Sequence, residues 1–365
     1  MGLKCGIVGL PNVGKSTLFN CLTNAKALAA NYPFATKDPN VGVITVPDAR
    51  LDKLTELVKP QKTLPTTVDI VDIAGLIKGA SKGEGLGNQF LGNIREVDAI
   101  IHVVRCFEDD NVIHVDGSVN PVRDKEIIDA ELIFKDLDTI EKRLEKLKKQ
   151  GKSGDKEIAK MVAELEHIRS EMESGKPARA VEYSEILEES MKEMMLLTAK
   201  PIMYVCNVDE ESILDGNDFT RIFEEAVKDE NSLVLKISAA IEAEVMELED
   251  PEERKEFLAE LGLEEPGVNV VINKAYQLLN LITYFTAGEK EVRAWTIEVG
   301  TKAPAAAGVI HSDFEKGFIR AEVISYEDFV NCGSEHAAKE AGKHRVEGKE
   351  YVVQDGDVMH FRFNV

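Results

Sequence analysis

A chain of 365 residues, 44% of them hydrophobic, carries enough apolar material for two or three domains with real cores. Its net charge of −22 excludes diffuse nucleic-acid binding by the whole surface, so any RNA contact has to come from a local patch, and no DNA contact is expected. Apolar runs such as Leu278 to Phe285 are too short to span a bilayer, so no membrane association is expected. The first residues lead directly into a strand pattern, without a charged and then apolar leader. Five cysteines, with no C-x-x-C among them, suit reduced thiols in a cytoplasm, and Cys5, Cys106 and Cys206 sit in apolar patterns as small core residues.

The first element, Lys4 to Val8, reads as a short buried strand, and a helix opens at Lys15. Between them Gly9-Leu10-Pro11-Asn12-Val13-Gly14-Lys15-Ser16-Thr17 fits G-x-x-x-x-G-K-[ST]. A strand that breaks into a glycine turn and reopens as a helix aims backbone N–H groups and the positive end of a helix dipole at one point, which attracts phosphate. Asn12, Val13, Gly14, Lys15, Ser16 and Thr17 are therefore the expected phosphate cradle. Lys15 would reach the β- and γ-phosphates and the Ser16 hydroxyl would ligate Mg²⁺.

Residues 31–40, with two prolines and no period, read as an exposed loop in which Thr36 is the candidate to sense the γ-phosphate through Mg²⁺. Val41 to Val46 reads as a strand. The strand from Val68 ends in Asp72-Ile73-Ala74-Gly75, a D-x-x-G pattern. There Asp72 would hold Mg²⁺ through water and Gly75 would let a backbone N–H approach the γ-phosphate. The glycine-loaded run that follows, 79–87, has the looseness of a loop ordered by a γ-phosphate and released on hydrolysis.

Asp98 to Val104 reads as a buried parallel strand. Beyond Lys125, Ile133, Leu137, Ile140, Leu144 and Leu147 are spaced 4, 3, 4, 3, and after a glycine hairpin Ile158, Met161, Leu165, Ile168 and Met172 are spaced 3, 4, 3, 4. Two heptad seams joined by a hairpin predict an antiparallel coiled-coil arm, inserted at 125–198. The arm's tip is basic. From Lys142 to Lys160 there are eight Lys and Arg against three Asp and Glu, a reversal of sign that suits a phosphate backbone.

Lys200 to Cys206 returns to a buried strand, followed by Asn207-Val208-Asp209-Glu210 at the carboxyl end where α/β sheets bind ligands. Leu233 to Ile237 is a last strand, ending in Ser238-Ala239. Pro251 to Leu261 and Val268 to Phe285 read as helices. From Thr286 the glycine spacing tightens and short strands (295–299, 321–324, 358–363) with one short helix near 335–341 predict a separate small α+β domain. The resulting domain reading is 1–285, interrupted by 125–198, and then 286–365.

GLPNVGKST, NYPFAT, the DIAGL and GASKGEGLGNQFL stretches, HSDFEKGFIRAEVISYEDF and DGDVMHFRFNV together closely resemble the Obg-like ATPase (YchF) family over essentially the whole chain. The resemblance implies an α/β P-loop NTPase with a mostly parallel sheet and helices on both faces, an inserted coiled coil, and a C-terminal TGS domain of ubiquitin-like β-grasp fold. It implies association with ribosomes, either the large subunit or the 70S particle, and a monomer is expected.

Relatives that bind GTP carry N-K-x-D after the strand at Lys200 to Cys206, the aspartate accepting two guanine N–H donors. Here the lysine is missing, the fourth position is the longer Glu210, and Asp209 lies one residue too early. Asn207 can still offer an amide to adenine, and Asn207, Val208, Glu210, Ser238 and Ala239 are the expected base-contacting set. ATP is thus favoured over GTP, as the resemblance also implies. Leu76 stands where small GTPases place a water-positioning glutamine. The attacking water then depends on K⁺ held by Asn12 or on His114, and turnover should be slow. The main reading is a slow ATPase switch that docks on ribosomes. A GTPase translation or ribosome-assembly factor and a nucleotide-gated binding module are the alternatives.

Overall fold

A computed structural model describes residues 3–24, 41–73, 86–109, 111–112, 114, 117–150, 155–230 and 232–364. The chain divides into two compact units, Met1–Val43 with Asp69–Val271 and Ile44–Val68 with Ile272–Val365.

The first sheet has the order β2-β4-β1-β5-β6-β7, formed by β1 (Lys4–Val8), β2 (Val41–Thr45), β4 (Thr67–Asp72), β5 (Ala99–Arg105), β6 (Ile202–Asn207) and β7 (Leu233–Ile237). From β4 to β7 every pairing is parallel. β5 and β6 are buried at every position, as strands covered on both faces must be. The helices of this unit are α1 (Lys15–Asn24), α3 (Leu86–Arg95), α4 (Pro121–Gln150), α5 (Lys156–Glu173), α6 (Glu185–Met194), α7 (Asp218–Val227), α8 (Ala239–Glu247), α9 (Pro251–Glu260) and α10 (Gly267–Leu278), the last running on into the second unit. Cys5, Cys106 and Cys206 are buried and unpaired, as expected of core thiols.

The heptad seams form the expected antiparallel arm. Ile133, Ile140, Leu144 and Leu147 of α4 pack with Leu165, Ile168 and Met172 of α5, and Leu137, Ile158 and Met161 are half-buried against them. The first helix is longer than its heptads indicate. It starts at Pro121 and runs 30 residues, about 45 Å at ~1.5 Å per residue. A third helix, unread in the sequence, completes the packing, because α6 adds Leu187, Met191 and Met194 to the same core. Asp136 on α4 accepts bonds from the Leu197 and Thr198 backbone at 2.8 and 2.7 Å and from the Thr198 hydroxyl at 2.7 Å. That buried carboxylate pins the returning chain before it re-enters the sheet.

Where the arm joins the sheet the interior is charged. Lys125 Nζ lies 2.6 Å from Asp129 and 2.5 Å from Glu230, while Glu230 also takes Arg179 at 3.0 Å and the Tyr204 hydroxyl at 2.8 Å. His102 of β5 is buried beside this group, its ring 5.5 Å from that of Tyr204. Burial lowers the His102 imidazole to about 4, with Asp129 pulling it up and Lys125 and Arg179 pushing it further down.

The second unit has a sheet of order β11-β10-β12-β8-β9-β3, from β3 (Lys62–Leu64), β8 (Leu281–Ala287), β9 (Glu291–Glu298), β10 (Phe318–Ile324), β11 (Arg345–Glu347) and β12 (Val358–Phe363). Its helices are α2 (Ala49–Val58), α11 (Ala303–Ile310), α12 (Ser312–Lys316), α13 (Tyr326–Cys332) and α14 (Glu335–Glu340). Three sequence expectations are corrected here. The stretch from Val268 to Phe285 is not one helix. It ends at Leu278, Asn280 takes a left-handed φ of 57°, and the β-branched and aromatic residues beyond it form β8. Four short helices, not one, lie among the C-terminal strands. The boundary at 285/286 also moves, because residues 44–68 pack with the C-terminal sheet. Leu51 and Leu54 of α2 share a core with Phe285, Val292, Ala294 and Ile324, and β3 pairs in parallel with β9.

The neutral, buried His102 sets a pH dependence. Its pKa is depressed in the folded chain, so the unfolded chain binds the extra proton first as pH falls. The stability this group contributes is complete above ~6.5 and lost as pH falls to about 4, on the order of 3 kcal/mol. Urea unfolding between pH 7 and 4 should show a steeper loss for the parent than for His102→Gln. Equal slopes would mean that His102 is protonated in the fold.

Candidate nucleotide site

The parallel register sets the end of β4 beside the end of β1. Ile7 pairs with Asp72, and two residues beyond Ile7 the chain turns at Gly9. A Cβ at Gly9 would lie 2.7 Å from the Val103 carbonyl oxygen, so the turn passes too close to β5 for a side chain. Asn12 and Gly14 hold positive φ values of 64° and 92°, in the region that asparagine tolerates and glycine enters freely. A Cβ at Gly14 would come within 2.2 Å of the Asn207 amide nitrogen. α1 then starts under the turn, with Leu18 N–H donating to the Gly14 carbonyl at 3.0 Å.

Lys15 is nearly buried and its ammonium is ion-paired with the Asp72 carboxylate. The two groups assigned separately from sequence, one to phosphate and one to Mg²⁺, are thus brought together. Ser16 and Thr17 are exposed at the mouth of the turn, and the Val13 side chain is buried beneath it. Thr36, Gly75, Leu76 and the glycine run at 79–85 lie outside the described residues.

Asn207 behaves differently from a free base reader. Its Nδ2 donates to the Val13 carbonyl at 2.9 Å, and its Oδ1 accepts the Ala239 N–H at 2.9 Å. The amide braces the phosphate turn against the turn between β7 and α8. Val208 is buried, with its N–H donating to Ile237 at 2.8 Å, so its side chain faces the core. Asp209 caps a 3₁₀ turn over Glu210–Ser212, its carboxylate accepting Ser212 N–H at 3.0 Å, while Glu210 is exposed. Ser238 is buried and its hydroxyl caps α8. Of the expected base-contacting set, Asn207 and Ala239 are joined by a hydrogen bond, Ser238 caps α8 beside them, and Glu210 alone projects outward.

His114 is not a surface-loop residue. It is buried, with Nε2 2.8 Å from Asp124 near the start of α4. Arg105, which the sequence reading passed over, holds the loop that leads to it. Its guanidinium is buried and donates to three backbone carbonyls, Phe107 at 3.0 Å, Val112 at 2.8 Å and Asp109 at 3.2 Å. An arginine closing a fully buried strand was the available signal.

A glycine turn between a parallel strand and a helix, with its lysine held at a carboxylate on the next strand's end, defines a P-loop nucleoside triphosphatase. Comparison with known proteins narrows that class. A family model described as a 50S ribosome-binding GTPase matches residues 4–161. A model of the C-terminal region of YchF-type GTPases, described as a protein of unknown function, matches 281–364. The ribosome-binding ATPase YchF of Escherichia coli O157:H7 is 59% identical over 365 residues, all of both chains. Its Bacillus subtilis counterpart of the same name is 57% identical over 367 residues, again covering both chains in full. The solved structure of the Schizosaccharomyces pombe YchF GTPase matches at a TM-score of 0.89 and 41% identity, over 99% of this chain and 98% of that one. The chain belongs to the YchF family.

The brace makes a specific demand on Asn207. Asn207→Ala leaves the Val13 carbonyl and Ala239 N–H without their partner, an effect of about 1–3 kcal/mol. It should weaken ATP and GTP binding equally, by tenfold or more, in equilibrium titrations. A loss confined to one nucleotide would assign the amide to the base instead.

Proposed function

We propose that the protein is a slow ATPase switch that couples ATP hydrolysis to ADP and phosphate with docking on the ribosome. The observation that carries the choice of nucleotide is the carboxylate arrangement after β6. Asp209 is consumed in capping its own turn, and no lysine accompanies it to pack over a base. Reading guanine needs a carboxylate that accepts from two adjacent N–H donors, and charge-assisted bonds of that kind contribute roughly 1.5–3 kcal/mol each. Relatives bear both names, ATPase in the two bacteria and GTPase in the yeast, so the nucleotide has to be argued from these residues.

Lys15 is the phosphate ligand. Its present partner Asp72 holds the ammonium in place until phosphate oxygens compete for it. The Ser16 hydroxyl and Asp72 carboxylate are hard oxygen donors on adjoining elements, a set that fits Mg²⁺, with Thr36 as the third contributor. When bound, Mg²⁺ offsets charge on the β- and γ-phosphates. By its place in the D-x-x-G pattern, Gly75 is the residue assigned to offer an N–H to the γ-phosphate. No glutamine follows Gly75, so water positioning falls to a K⁺ ion held by Asn12, or to His114 fixed by Asp124.

Ribosome docking is assigned to the arm's tip, together with the C-terminal TGS domain. Lys142, Lys146, Lys149, Lys156 and Lys160 are all exposed, whereas Lys148 pairs with Glu166 at 2.7 Å and Arg143 is drawn back to Glu193 at 2.9 Å. Those five ammonium groups can meet phosphate without first breaking an ion pair with a described residue.

Titration of fluorescent ATP and GTP analogues, with turnover measured in K⁺ and in Na⁺, tests the nucleotide assignment. ATP should bind at least tenfold tighter, about 1.4 kcal/mol, and turn over faster in K⁺ unless His114 alone orders the water. Tighter GTP binding would reverse the reading. For docking, Lys146, Lys149, Lys156 and Lys160 changed together to Glu should weaken co-sedimentation with ribosomes and flatten its salt dependence, by a log–log slope of about 0.7–0.9 for each phosphate that is no longer neutralised. ATP binding should stay at the parental level. Unchanged co-sedimentation across the salt series would make the arm a spacer.

A further inference from the structure

In the C-terminal unit three chemically distinct elements place metal-ligating atoms around one small cavity. Glu322 lies on β10, Glu335 opens α14, and His344 sits in the turn between α14 and β11. One ligand atom from each falls within 4.8 Å of the other two. The space they border, about 20 Å³, is closed by Val358, Met359 and His360, and is the size of a single water or ion.

We infer that Glu322, Glu335 and His344 form a binding site for a divalent transition-metal ion of the zinc type, serving as a clip within the C-terminal unit. Three observations support this. The His344 Nε2 atom is buried and has no hydrogen-bond partner, a costly arrangement for a ring nitrogen unless something binds it. It stands 3.5 Å from Glu322 Oε2, too far for a strong ion pair. Bonds of about 2.0–2.1 Å at tetrahedral angles set ligand atoms roughly 3.4 Å apart, so this edge of a zinc tetrahedron already has its length.

The third observation is how the Glu322 carboxylate is held. Arg362 grips its carboxylate with two bonds of 3.0 and 3.1 Å, and Arg320 approaches to 3.7 Å. These bonds fix the orientation of the carboxylate beside His344. Glu335 must trade its 2.5 Å contact with Lys339 for the metal, which makes it the adjustable member. His360, directly across from Glu322 on β12, supplies a fourth donor or orders a bound water.

One imidazole and two carboxylates are a borderline nitrogen and oxygen set. It suits Zn²⁺ and its neighbours, while Mg²⁺ prefers an all-oxygen octahedron. The clip would tie α14 and its following turn to β10, giving stability in place of catalysis.

The test uses the full chain, stripped with chelator and kept in excess Mg²⁺. Calorimetric titration with Zn²⁺ should show one site with micromolar or tighter affinity, and Co²⁺ should give visible bands of four-coordinate intensity. His344→Ala and Glu335→Gln should each weaken Zn²⁺ binding at least tenfold and abolish a zinc-dependent rise in melting temperature, with chelated melting temperatures unchanged. Lys339→Ala, which frees Glu335, should tighten binding. Cys332, the half-buried thiol of this unit, is tested by Cys332→Ser, which should leave binding intact. No Zn²⁺ uptake by the parent, or equal uptake by parent, His344→Ala and Glu335→Gln, overturns the site.

Discussion

The amide of Asn207 closes the corner on which the nucleotide site depends. One end holds the carbonyl of Val13 and the other holds the N–H of Ala239, so the turns after β1 and β7 are fixed relative to each other. Gly14 is glycine because that amide lies where a Cβ would stand, and its positive φ points the following N–H groups toward one place. The helix under the turn and the lysine that opens it inherit their positions from this brace. Small groups packed at van der Waals distance leave little freedom, and a phosphate cradle needs that rigidity because ordering it on binding would cost affinity.

Charge on the arm departs from the acidic average of the whole molecule at both its tip and its root. The arm's tip is cationic in a strongly acidic chain, and its described lysines are exposed. The arm's root carries Lys125, Asp129, Arg179 and Glu230 in the interior, where ion pairs are strong only if every partner is present. Removing one member of such a network would leave an uncompensated buried charge at the point where α4 leaves the sheet. Asp136 pins the returning chain.

The C-terminal unit is assembled from two separated pieces of chain. Residues 44–68 supply an edge strand and a helix whose Leu51 and Leu54 complete the core under Phe285 and Ile324. A cut at residue 285 would therefore leave β9 without its parallel neighbour and one face of the sheet without its cover. That feature matters for any attempt to produce the unit separately.

By itself the sequence determined the phosphate turn, the strands β1, β7 and β12, the two heptad seams and the basic tip, because each is set by local spacing or by residue type alone. Tertiary structure decided the rest. That Asn207 is a brace, that Asp209 caps its own turn, and that His114 is buried against Asp124 all depend on what stands opposite, which spacing does not encode. The end of α10 at Leu278 turned on one left-handed asparagine in a run whose apolar character suits helix and strand alike. The placement of 44–68 with the C-terminal sheet, and the meeting of Glu322 with His344, rest on pairings between distant residues, where only the folded chain brings the partners together.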